Sequence, residues 1–535
     1  MPSFNLHDHL LRRDHTLLGG IVVGIDGVRV EIQARATEVH KRGPQPFADS
    51  CRVTGMARGP VRESLDRISG AFSKLGIADS PVQILINLAP AAVEKDGAWL
   101  DLPLAIIMLQ CAGVLPDLPS QKESSLLLFG EIGIHGELRR VPGALSLGFT
   151  ATPGQSVIVP TGNEKECALI MAKPGHEGCR VFVAKTLEDV ISFFRGEQVL
   201  PNALKQKISF EPAIEKAVDF GRIRGQELAK RAAVISAAGG HNLLLSGPPG
   251  EGKSLIASAI PGILPPMSDA AKVEVTKIYS ACGMLEHDGM AVTRRPFRSI
   301  HHSITMPALV GGGAGVPKPG EITLSHHGVL FLDEFPEFSR QALESLRQPL
   351  EAGQVTITRV GATLTFPAHF TLVAAMNPCP CGYADSDRCT CTTSTISRYM
   401  KKLSGPLLDR LDLQVNLKPL TADERFSETT ENESPRLRKI VADARQKQVA
   451  RFEGTKIPCN SFIPGGHLPD FCKFTPQAFE QYKQLASTTD ISTRSADRLA
   501  KVARTIADLD AEPKIDNAHV EEAASFIRGG ILTHS

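Results

Sequence analysis

The most constraining feature of this sequence is a glycine-rich segment between a predicted strand, residues 241–245, and a predicted helix, residues 255–260. The segment consists of Gly247, Pro248, Pro249, Gly250, Glu251, Gly252, Lys253 and Ser254, and it fits the pattern Gly-x-x-x-x-Gly-Lys-Ser. Between a strand and a helix, such glycines let backbone N–H groups curl around a phosphate, and the helix N-terminus adds a favourable dipole. Lys253 then supplies a cation to the terminal phosphates, and Ser254 supplies an oxygen to Mg²⁺. The segment predicts a binding site for ATP and Mg²⁺.

Two further predicted strands end in polar side chains that suit the same site. Residues 329–332 are all apolar and lead to Asp333 and Glu334. We expect Asp333 to hold Mg²⁺ through water and Glu334 to polarise the attacking water as a general base. The alternative is an ordinary strand that ends in solvated acids. Asn377 follows the apolar residues 372–375 and can orient the attacking water, although a simple strand-ending turn explains the same Asn-Pro pair.

The chain has 535 residues, too many for one hydrophobic core, and its pattern changes along its length. Residues 1–200 mix short β-branched runs with amphipathic helical patterns, which predicts an α+β domain. Residues 206–424 alternate apolar strands with helices, the pattern of a parallel α/β sheet. Residues 425–535 carry few strand signals and predict a helical domain, in which one helix begins at Thr475-Pro476.

Composition excludes some classes of protein. The 59 basic and 58 acidic residues leave a net charge of +1, so any nucleic-acid surface must be local. No apolar run approaches the ~20 residues that a membrane helix needs, and the first residues lack the pattern of a signal peptide. We therefore expect a cytoplasmic protein without membrane association, whose 11 cysteines are reduced thiols or metal ligands.

The order of the chemical motifs resembles that of AAA+ ATPases. Lys253, the Asp333-Glu334 pair and Asn377 would correspond to the Walker A, Walker B and sensor 1 elements of that class. The resemblance implies a P-loop parallel-sheet core followed by a helical lid, and it implies ATP hydrolysis.

Other segments narrow the resemblance. Residues 295–302, 308–313 and 319–328 resemble the magnesium-chelatase-like branch of AAA+ proteins. Residues 377–382 and 403–412 are similar to the ComM/YifB family. The resemblance covers nearly the whole chain and implies a homo-hexameric ring with ATP bound between subunits.

The resemblance also implies roles for two arginines. Arg410 would be the arginine finger that reaches the neighbouring subunit's γ-phosphate, where a planar cation stabilises transition-state charge. A surface salt bridge with Asp409 or Asp412 is the alternative for this residue. Arg494 lies where the sensor 2 arginine falls, and Arg498, four residues further on, competes for that role.

The family resemblance points to single-stranded or branched DNA as the substrate. ComM-like proteins are associated with DNA branch migration and helicase activity in recombination and natural transformation. Residues 355–366 resemble a family hairpin that could enter the pore, where Arg359 could touch a phosphate or simply be a charged hairpin residue. Between residues 436 and 451, a local excess of basic side chains predicts either phosphate contacts or a solvated helix face. Gln226 resembles part of the segment that contacts adenine.

The first domain resembles the Lon-protease proteolytic fold. Trp99 stands where that family has its serine nucleophile, and the position of the catalytic lysine falls near Leu145. A Ser–Lys dyad needs both a nucleophile and its base. We therefore expect a non-catalytic domain, and a protease function is excluded.

Four cysteines occur close together in the pattern Cys-x-Cys-x₇-Cys-x-Cys. They are Cys379, Cys381, Cys389 and Cys391. Four thiolates suit a tetrahedral, structural Zn²⁺ site, because they leave no open position for water. Exposed reduced thiols in a loop are the alternative.

Two functions of different classes remain at this point. The first is an ATP-hydrolysing motor that acts on DNA. The second is the ATPase subunit of a metal-chelatase-type complex, whose partner would carry a metal-adhesion motif. The chain itself contains no Asp-x-Ser-x-Ser motif, which disfavours the second function without excluding a separate partner.

Overall fold

The computed structural model divides the chain into two compact units. It describes residues 14–528 except for 40–42, 56–58, 78, 96, 117–124, 173, 204–217, 286–290, 314, 360–361, 385–386, 427–431 and 488–491. The first unit combines residues 1–211 with 269–293, and the second combines residues 212–268 with 294–535. Within the described residues, no helix is long and apolar enough to span a membrane.

The first unit contains a seven-stranded mixed sheet. Its strand order is β11-β10-β7-β1-β2-β6-β4, with β1–β2 and β2–β6 antiparallel and the other neighbours parallel. The strands of this unit are β1 (Asp14–Val23), β2 (Asp26–Val39), β3 (Gln45–Pro46), β4 (Cys51–Thr54), β5 (Asp79–Ser80), β6 (Val82–Ala89), β7 (Leu126–Leu128), β8 (Glu131–Ile132), β9 (Leu138–Arg139), β10 (Ser156–Pro160) and β11 (Arg180–Ala184). The predicted α+β character of this region is confirmed.

Helices cover the sheet of the first unit. They are Phe47–Ser50, Gly59–Lys74, Asp101–Cys111, Ala144–Gly148, Glu164–Ala168, Leu187–Arg195 and Asp269–Ala281. Every residue of Asp101–Cys111 is buried, as expected for a helix that is apolar on all sides.

Helix Asp269–Ala281 belongs to the first unit, although its residues lie inside the stretch that the sequence pattern assigns to the ATPase core. It buries Val275 and Ile278, and its Ser280 hydroxyl donates to the buried carboxylate of Glu166. The Ser280 carbonyl accepts a hydrogen bond of 2.8 Å from the Gly143 amide. The predicted division into domains of residues 1–200, 206–424 and 425–535 therefore stays a proposal. It does not include the return of residues 269–293 to the first unit.

The second unit is built on a five-stranded parallel sheet. Its strand order is β13-β16-β19-β12-β20, and every neighbouring pair is parallel. The strands of this unit are β12 (Leu243–Ser246), β13 (Phe297–Ile300), β14 (Gly311–Gly312), β15 (Lys318–Pro319), β16 (Val329–Leu332), β17 (Gln354–Arg359), β18 (Ala362–Pro367), β19 (Thr371–Met376) and β20 (Leu413–Asn416). Because parallel strands present their carboxyl ends at one edge, the residues that follow β12, β16 and β19 meet there.

Helices flank this sheet and form the C-terminal region. They are Glu227–Gly239, Lys253–Ile263, Met306–Val310, Glu321–Leu324, Arg340–Ser345, Arg347–Ala352, Thr393–Met400, Gly405–Leu408, Ala422–Phe426, Glu433–Arg451, Leu468–Phe471, Pro476–Ala486, Thr493–Leu509 and Asn517–Arg528. The helix predicted at Thr475-Pro476 is confirmed: Thr475 accepts from the Ala478 amide at its N-terminus. The parallel core and the C-terminal helices agree with the predicted fold class.

A buried polar network ties the C-terminal helices to the start of β12. Asp508 accepts from Arg504 at 3.0 Å and from Arg451 at 2.8 Å, and both Arg504 and Asp508 are 1% exposed. On the same helix, Thr505 lies 2.8 Å from the ring of His241, which precedes β12. The Asp508 carboxylate is thus the shared acceptor of two guanidinium groups.

We predict that Asp508→Ala destabilises the second unit. Removal of this carboxylate leaves Arg504 buried without its counter-ion, which costs about 3–5 kcal/mol of unfolding free energy. Urea unfolding followed by circular dichroism measures the effect. The matched control is Glu480→Ala, which removes an exposed partner of Lys483 and should change the stability by less than about 1 kcal/mol. Equal stability of Asp508→Ala and the wild type would contradict the prediction.

Candidate active site

The glycine-rich loop lies between β12 and helix Lys253–Ile263. Gly250 and Gly252 both have φ of 85°, a conformation that side chains disfavour, and no atom lies within 4 Å of where their Cβ atoms would be. Glycine is needed here for the turn of the backbone and not for packing. No side chain caps the N-terminus of the helix, so its first N–H groups are available to an anion.

Lys253 is held inside this loop by oxygen acceptors. Its ammonium donates to the carbonyls of Gly247 at 2.6 Å and Pro248 at 2.8 Å, and to Oδ1 of Asn377 at 3.1 Å. The side chain is 8% exposed, and burial lowers the pKa of Lys253. A buried cation surrounded by the loop is suited to bind phosphate oxygens.

The loop meets the acidic end of β16. Ser254 Oγ donates to Asp333 Oδ2 at 2.8 Å, and Asp333 Oδ1 accepts from the amide of Glu334 at 2.9 Å. A hydroxyl and a carboxylate oxygen in contact form a donor set that suits Mg²⁺, which prefers hard oxygen ligands. These residues therefore fit the predicted metal.

Glu334 lies beside Asp333 in a left-handed conformation, with φ of 51°. One of its carboxylate oxygens lies 2.8 Å from Nδ1 of His302, which follows β13. This imidazole lies against the carboxylate that is predicted to polarise water. No role of His302 was predicted from the sequence, yet a signal existed: His302 follows the strand next to β16, just as the acids follow β16 itself.

Asn377 lies between the loop and the acids, because β19 separates β12 from β16. Its side chain accepts from Lys253 at 3.1 Å. The structure therefore brings Lys253, Ser254, Asp333 and Asn377 to one sheet edge, with Glu334 adjacent in sequence. The catalytic roles that the sequence analysis gave them remain proposals.

The predicted arginines do not reach this edge within the described chain. Arg410 contacts Glu351 and the carbonyl of Pro406, and Arg494 lies 3.6 Å from the same Glu351 carboxylate. The sequence analysis named Asp409 and Asp412 as alternative partners of Arg410, and the observed partner is Glu351 instead. Such a contact across 59 residues leaves no pattern in the sequence.

Arg498 is engaged inside the second unit. It donates to the Leu411 carbonyl at 2.7 Å and to Ser495 Oγ at 2.6 Å, and burial lowers its pKa. Arg494, in contrast, has a side chain that is 59% exposed. Of the two, Arg494 is the one whose guanidinium can move to a ligand.

A cavity of about 300 Å³ adjoins the phosphate loop. It is lined by Arg222, Ile223, Arg224, Gln226, Gly250, Glu251, Gly252, Leu255 and Leu420. The Gln226 amide is fixed there by a 2.7 Å bond to the Lys418 carbonyl. Gln226 thus lines a cavity beside the phosphate loop, and its contact with a nucleotide base stays a prediction; the apolar lining from Ile223 and Leu420 was not predicted.

The four cysteines of the predicted zinc site lie together, in the segment that follows Asn377. All the sulfur atoms of Cys379, Cys381, Cys389 and Cys391 lie within 4.8 Å of one another. The structure thus provides a thiol cluster that could hold a metal.

The basic stretch is largely occupied by contacts within the protein. Three of its side chains donate to backbone carbonyls: Arg438 to that of Gly262, Arg445 to that of Ala237, and Lys447 to that of Asp508. Arg451 pairs with the Asp508 carboxylate. These contacts favour a structural role over the phosphate-contact interpretation.

The residues at the protease-like positions of the first unit make structural contacts. Trp99 donates from its indole to the Pro142 carbonyl at 2.8 Å, and Leu145 is fully buried. Asp101, two residues after Trp99, is buried and accepts three hydrogen bonds from Arg67. The non-catalytic character of this domain stays a prediction.

Family models for magnesium-chelatase subunits match this chain. The model described as magnesium chelatase, subunit ChlI, matches residues 219–425, and that of the subunit ChlI C-terminal region matches residues 431–527. The model described as subunit ChlI of Mg-chelatase matches residues 41–163. The matches thus extend over both units.

Individual relatives cover the chain to different extents. The chain is 39% identical over 479 residues to the uncharacterized protein YifB of Escherichia coli strain K12, covering 89% of this chain and 90% of that protein. It is 37% identical over 496 residues to competence protein ComM of Haemophilus influenzae, and the matched region covers 91% of this chain and 93% of that protein. The magnesium-chelatase 38 kDa subunit of Cereibacter sphaeroides is 27% identical over 183 residues, and the matched region covers 31% of this chain and 54% of that protein. Similarity to YifB and ComM therefore spans nearly the full length.

We predict that Glu334→Gln retains ATP but loses turnover, because the amide keeps the size of the side chain and cannot accept a proton. Loss of a general base lowers the rate by about 10²- to 10⁴-fold. Phosphate release measures turnover, and titration with a fluorescent ATP analogue measures binding. Glu337→Gln is the control, since this nearby carboxylate pairs with Lys402. Unchanged turnover in Glu334→Gln would refute the role.

Proposed function

This chain belongs to the magnesium-chelatase-like AAA+ family that includes ComM and YifB, and we propose that it is an ATP-driven motor that acts on DNA. Family membership supports an ATPase of the ComM/YifB type, with ATP and Mg²⁺ as its nucleotide and metal. The observation that carries the proposal is the 2.8 Å hydrogen bond between Ser254 and Asp333, because it joins a phosphate loop to an acidic strand end.

In the proposed hydrolysis, each residue of the sheet edge has one task. Lys253 and the loop amides bind the terminal phosphates. Glu334 accepts a proton from the attacking water, which Asn377 orients. Ser254 and Asp333 would hold Mg²⁺, which neutralises charge on the phosphate oxygens when bound. A structural Zn²⁺ at the four cysteines completes the proposed set of cofactors.

We propose that the site is completed by a second copy of the chain in a homo-hexameric ring. Arg410 and Arg494 both contact Glu351 within their own chain. In the ring, Arg410 leaves Glu351 and reaches the γ-phosphate bound to the neighbouring subunit, while Arg494 reaches ATP as the sensor 2 residue. A guanidinium fork stabilises the spread charge of the transition state better than a point charge does.

The proposed substrate is single-stranded or branched DNA, and the proposed activity is branch migration or helicase activity in recombination or natural transformation. The name of the relative from Haemophilus influenzae, competence protein ComM, supports the second setting. The β17–β18 hairpin offers a contact, since Arg359 at its end is exposed. A cation there would bind phosphate without reading sequence.

The alternative function is the ATPase subunit of a metal-chelatase-type complex. The descriptions of the matching family models favour it. The similarity to the chelatase 38 kDa subunit, however, covers only 31% of this chain. The DNA-motor proposal is therefore preferred.

We predict that single-stranded DNA or a four-way junction raises the ATPase rate severalfold, and that added salt weakens this stimulation because phosphate contacts release counter-ions. Arg359→Ala should lose part of the stimulation and keep the rate measured without DNA. Arg139→Ala is the control, because this exposed arginine of the first unit pairs with Glu137. If neither DNA stimulates the ATPase rate, the DNA-motor proposal is contradicted and the metal-chelatase alternative is favoured.

We predict that two inactive variants regain ATPase activity when they are mixed. Lys253→Ala cannot bind ATP but can donate Arg410, and Arg410→Ala can bind ATP but lacks the finger for its neighbour. Mixed rings therefore contain some complete sites. In the control, Lys253→Ala is mixed with Glu334→Gln, two changes in the same subunit's site, and no complete site forms. If Arg410 acted within its own chain, neither mixture would recover activity.

A further inference from the structure

We propose that Cys379, Cys381, Cys389 and Cys391 bind one zinc ion, and that this metal clip holds Asn377 in position for ATP hydrolysis. The first half of the inference stands on the thiol cluster alone. The second half rests on the proposed function, because it uses the role of Asn377 in orienting water.

The distances between the sulfur atoms fit a tetrahedral metal site. Cys379 Sγ lies 3.3 Å from Cys381 Sγ and 3.9 Å from Cys389 Sγ, and Cys381 Sγ lies 3.7 Å from Cys389 Sγ. Sulfurs that surround zinc at ~2.3 Å are separated by about 3.8 Å, the edge of the tetrahedron. A disulfide needs about 2.05 Å between sulfurs, so the cluster is arranged for a shared ion and not for a bond between any two of these three thiols.

The chemistry of the donors selects a soft or borderline cation. Four thiolates favour zinc over the hard Mg²⁺ ion that the nucleotide carries, so the two metals would not exchange sites. A site with four sulfur ligands is closed and structural. The zinc would therefore take no part in the chemistry of ATP, and its effect must come through the position of the residues around it.

The clip begins beside the proposed hydrolytic site. Cys379 is two residues after Asn377 and is fully buried. Gly382, in the turn after Cys381, packs so closely that a Cβ there would lie 2.7 Å from Pro249 of the phosphate loop. Its φ of 87° also requires glycine. The cysteine segment therefore lies against both the loop and the residue predicted to orient water.

The clip also returns the chain to Asn377. Cys391 directly precedes Thr392, the N-cap of helix Thr393–Met400, whose hydroxyl accepts from the Thr395 amide at 3.3 Å. From this helix, the buried side chain of Tyr399 lies near Asn377: burial raises the pKa of its hydroxyl, and the Asn377 backbone opposes that shift. A zinc ion would close the segment between these two attachments, so Asn377 would be fixed from both sides.

Loss of zinc should therefore impair catalysis and leave nucleotide binding intact. Lys253 and Ser254 lie outside the clip: when Asn377 moves, Lys253 keeps the carbonyls of Gly247 and Pro248, and Ser254 keeps Asp333. ATP should therefore bind an apo protein, and the oriented water should be lost. Removal of one group that acts on the transition state lowers kcat on the order of 100-fold.

The test compares the full-length wild type with Cys389→Ser/Cys391→Ser, with Asn377→Ala and with the control Cys51→Ser, whose thiol lies in β4 of the first unit. Elemental mass spectrometry under reducing conditions should find one zinc per chain in the wild type, in Cys51→Ser and in Asn377→Ala, and none in the double variant. Cobalt added to the metal-free wild type should give the absorption of a tetrahedral thiolate site. The double variant and Asn377→Ala should lose kcat by a similar factor, and the double variant, which keeps the Asn377 side chain, should keep its Kd for ATP.

A second measurement tests the proposal even if the double variant fails to fold. Zinc is removed from the wild type with a chelator and returned, and kcat should fall and recover with Zn²⁺ but not with additional Mg²⁺. Wild-type protein without zinc and without a cobalt signal would overturn the metal site. Zinc loss that leaves kcat unchanged would overturn the positioning role. A zinc-loaded wild type without any ATPase activity would instead contradict the proposed function and leave the metal site standing.

Discussion

The hydrogen bond between Ser254 and Asp333 joins residues 79 positions apart in the chain, and the proposed chemistry depends on it. It forms because β12 and β16 run parallel in one sheet and therefore end at the same edge. The strand between them, β19, delivers Asn377 to the gap. A different strand order, with the same local sequences, would scatter the phosphate loop, the acids and the amide over separate parts of the surface.

Around this edge, the contacts differ in how firmly they hold the side chains. Lys253 is buried among three oxygen acceptors. Glu334, in contrast, is half exposed, and its carboxylate lies at ion-pair distance from the ring of His302. Arg410 and Arg494 share the carboxylate of Glu351, which can balance only one positive charge. The binding part of the site is thus firmly held, whereas Glu334 and Arg494 have exposed side chains that can change partners, and Arg410 is itself largely buried.

Much of the sheet edge could be predicted from the sequence because its signals are local. Val329–Leu332 is an apolar run of four that ends in two acids, and the structure places the strand at the predicted residues. The contacts of His302 and Glu351 could not be predicted in the same way, because they depend on which strands are neighbours and on pairings between distant residues. For a related reason the sequence left the role of the basic side chains between 436 and 451 open: composition does not reveal that Arg438 and Arg445 donate to backbone carbonyls.

The membership of helix Asp269–Ala281 in the first unit has a practical consequence for the design of expression fragments. A fragment that starts after residue 211 carries this helix away from Glu166 and Gly143, its partners near Ser280. Val275 and Ile278 would then face solvent as an unpaired apolar stripe, which promotes association between molecules. A shortened ATPase would need these residues replaced by a polar linker, because the boundary that separates the two units is not a single cut in the chain.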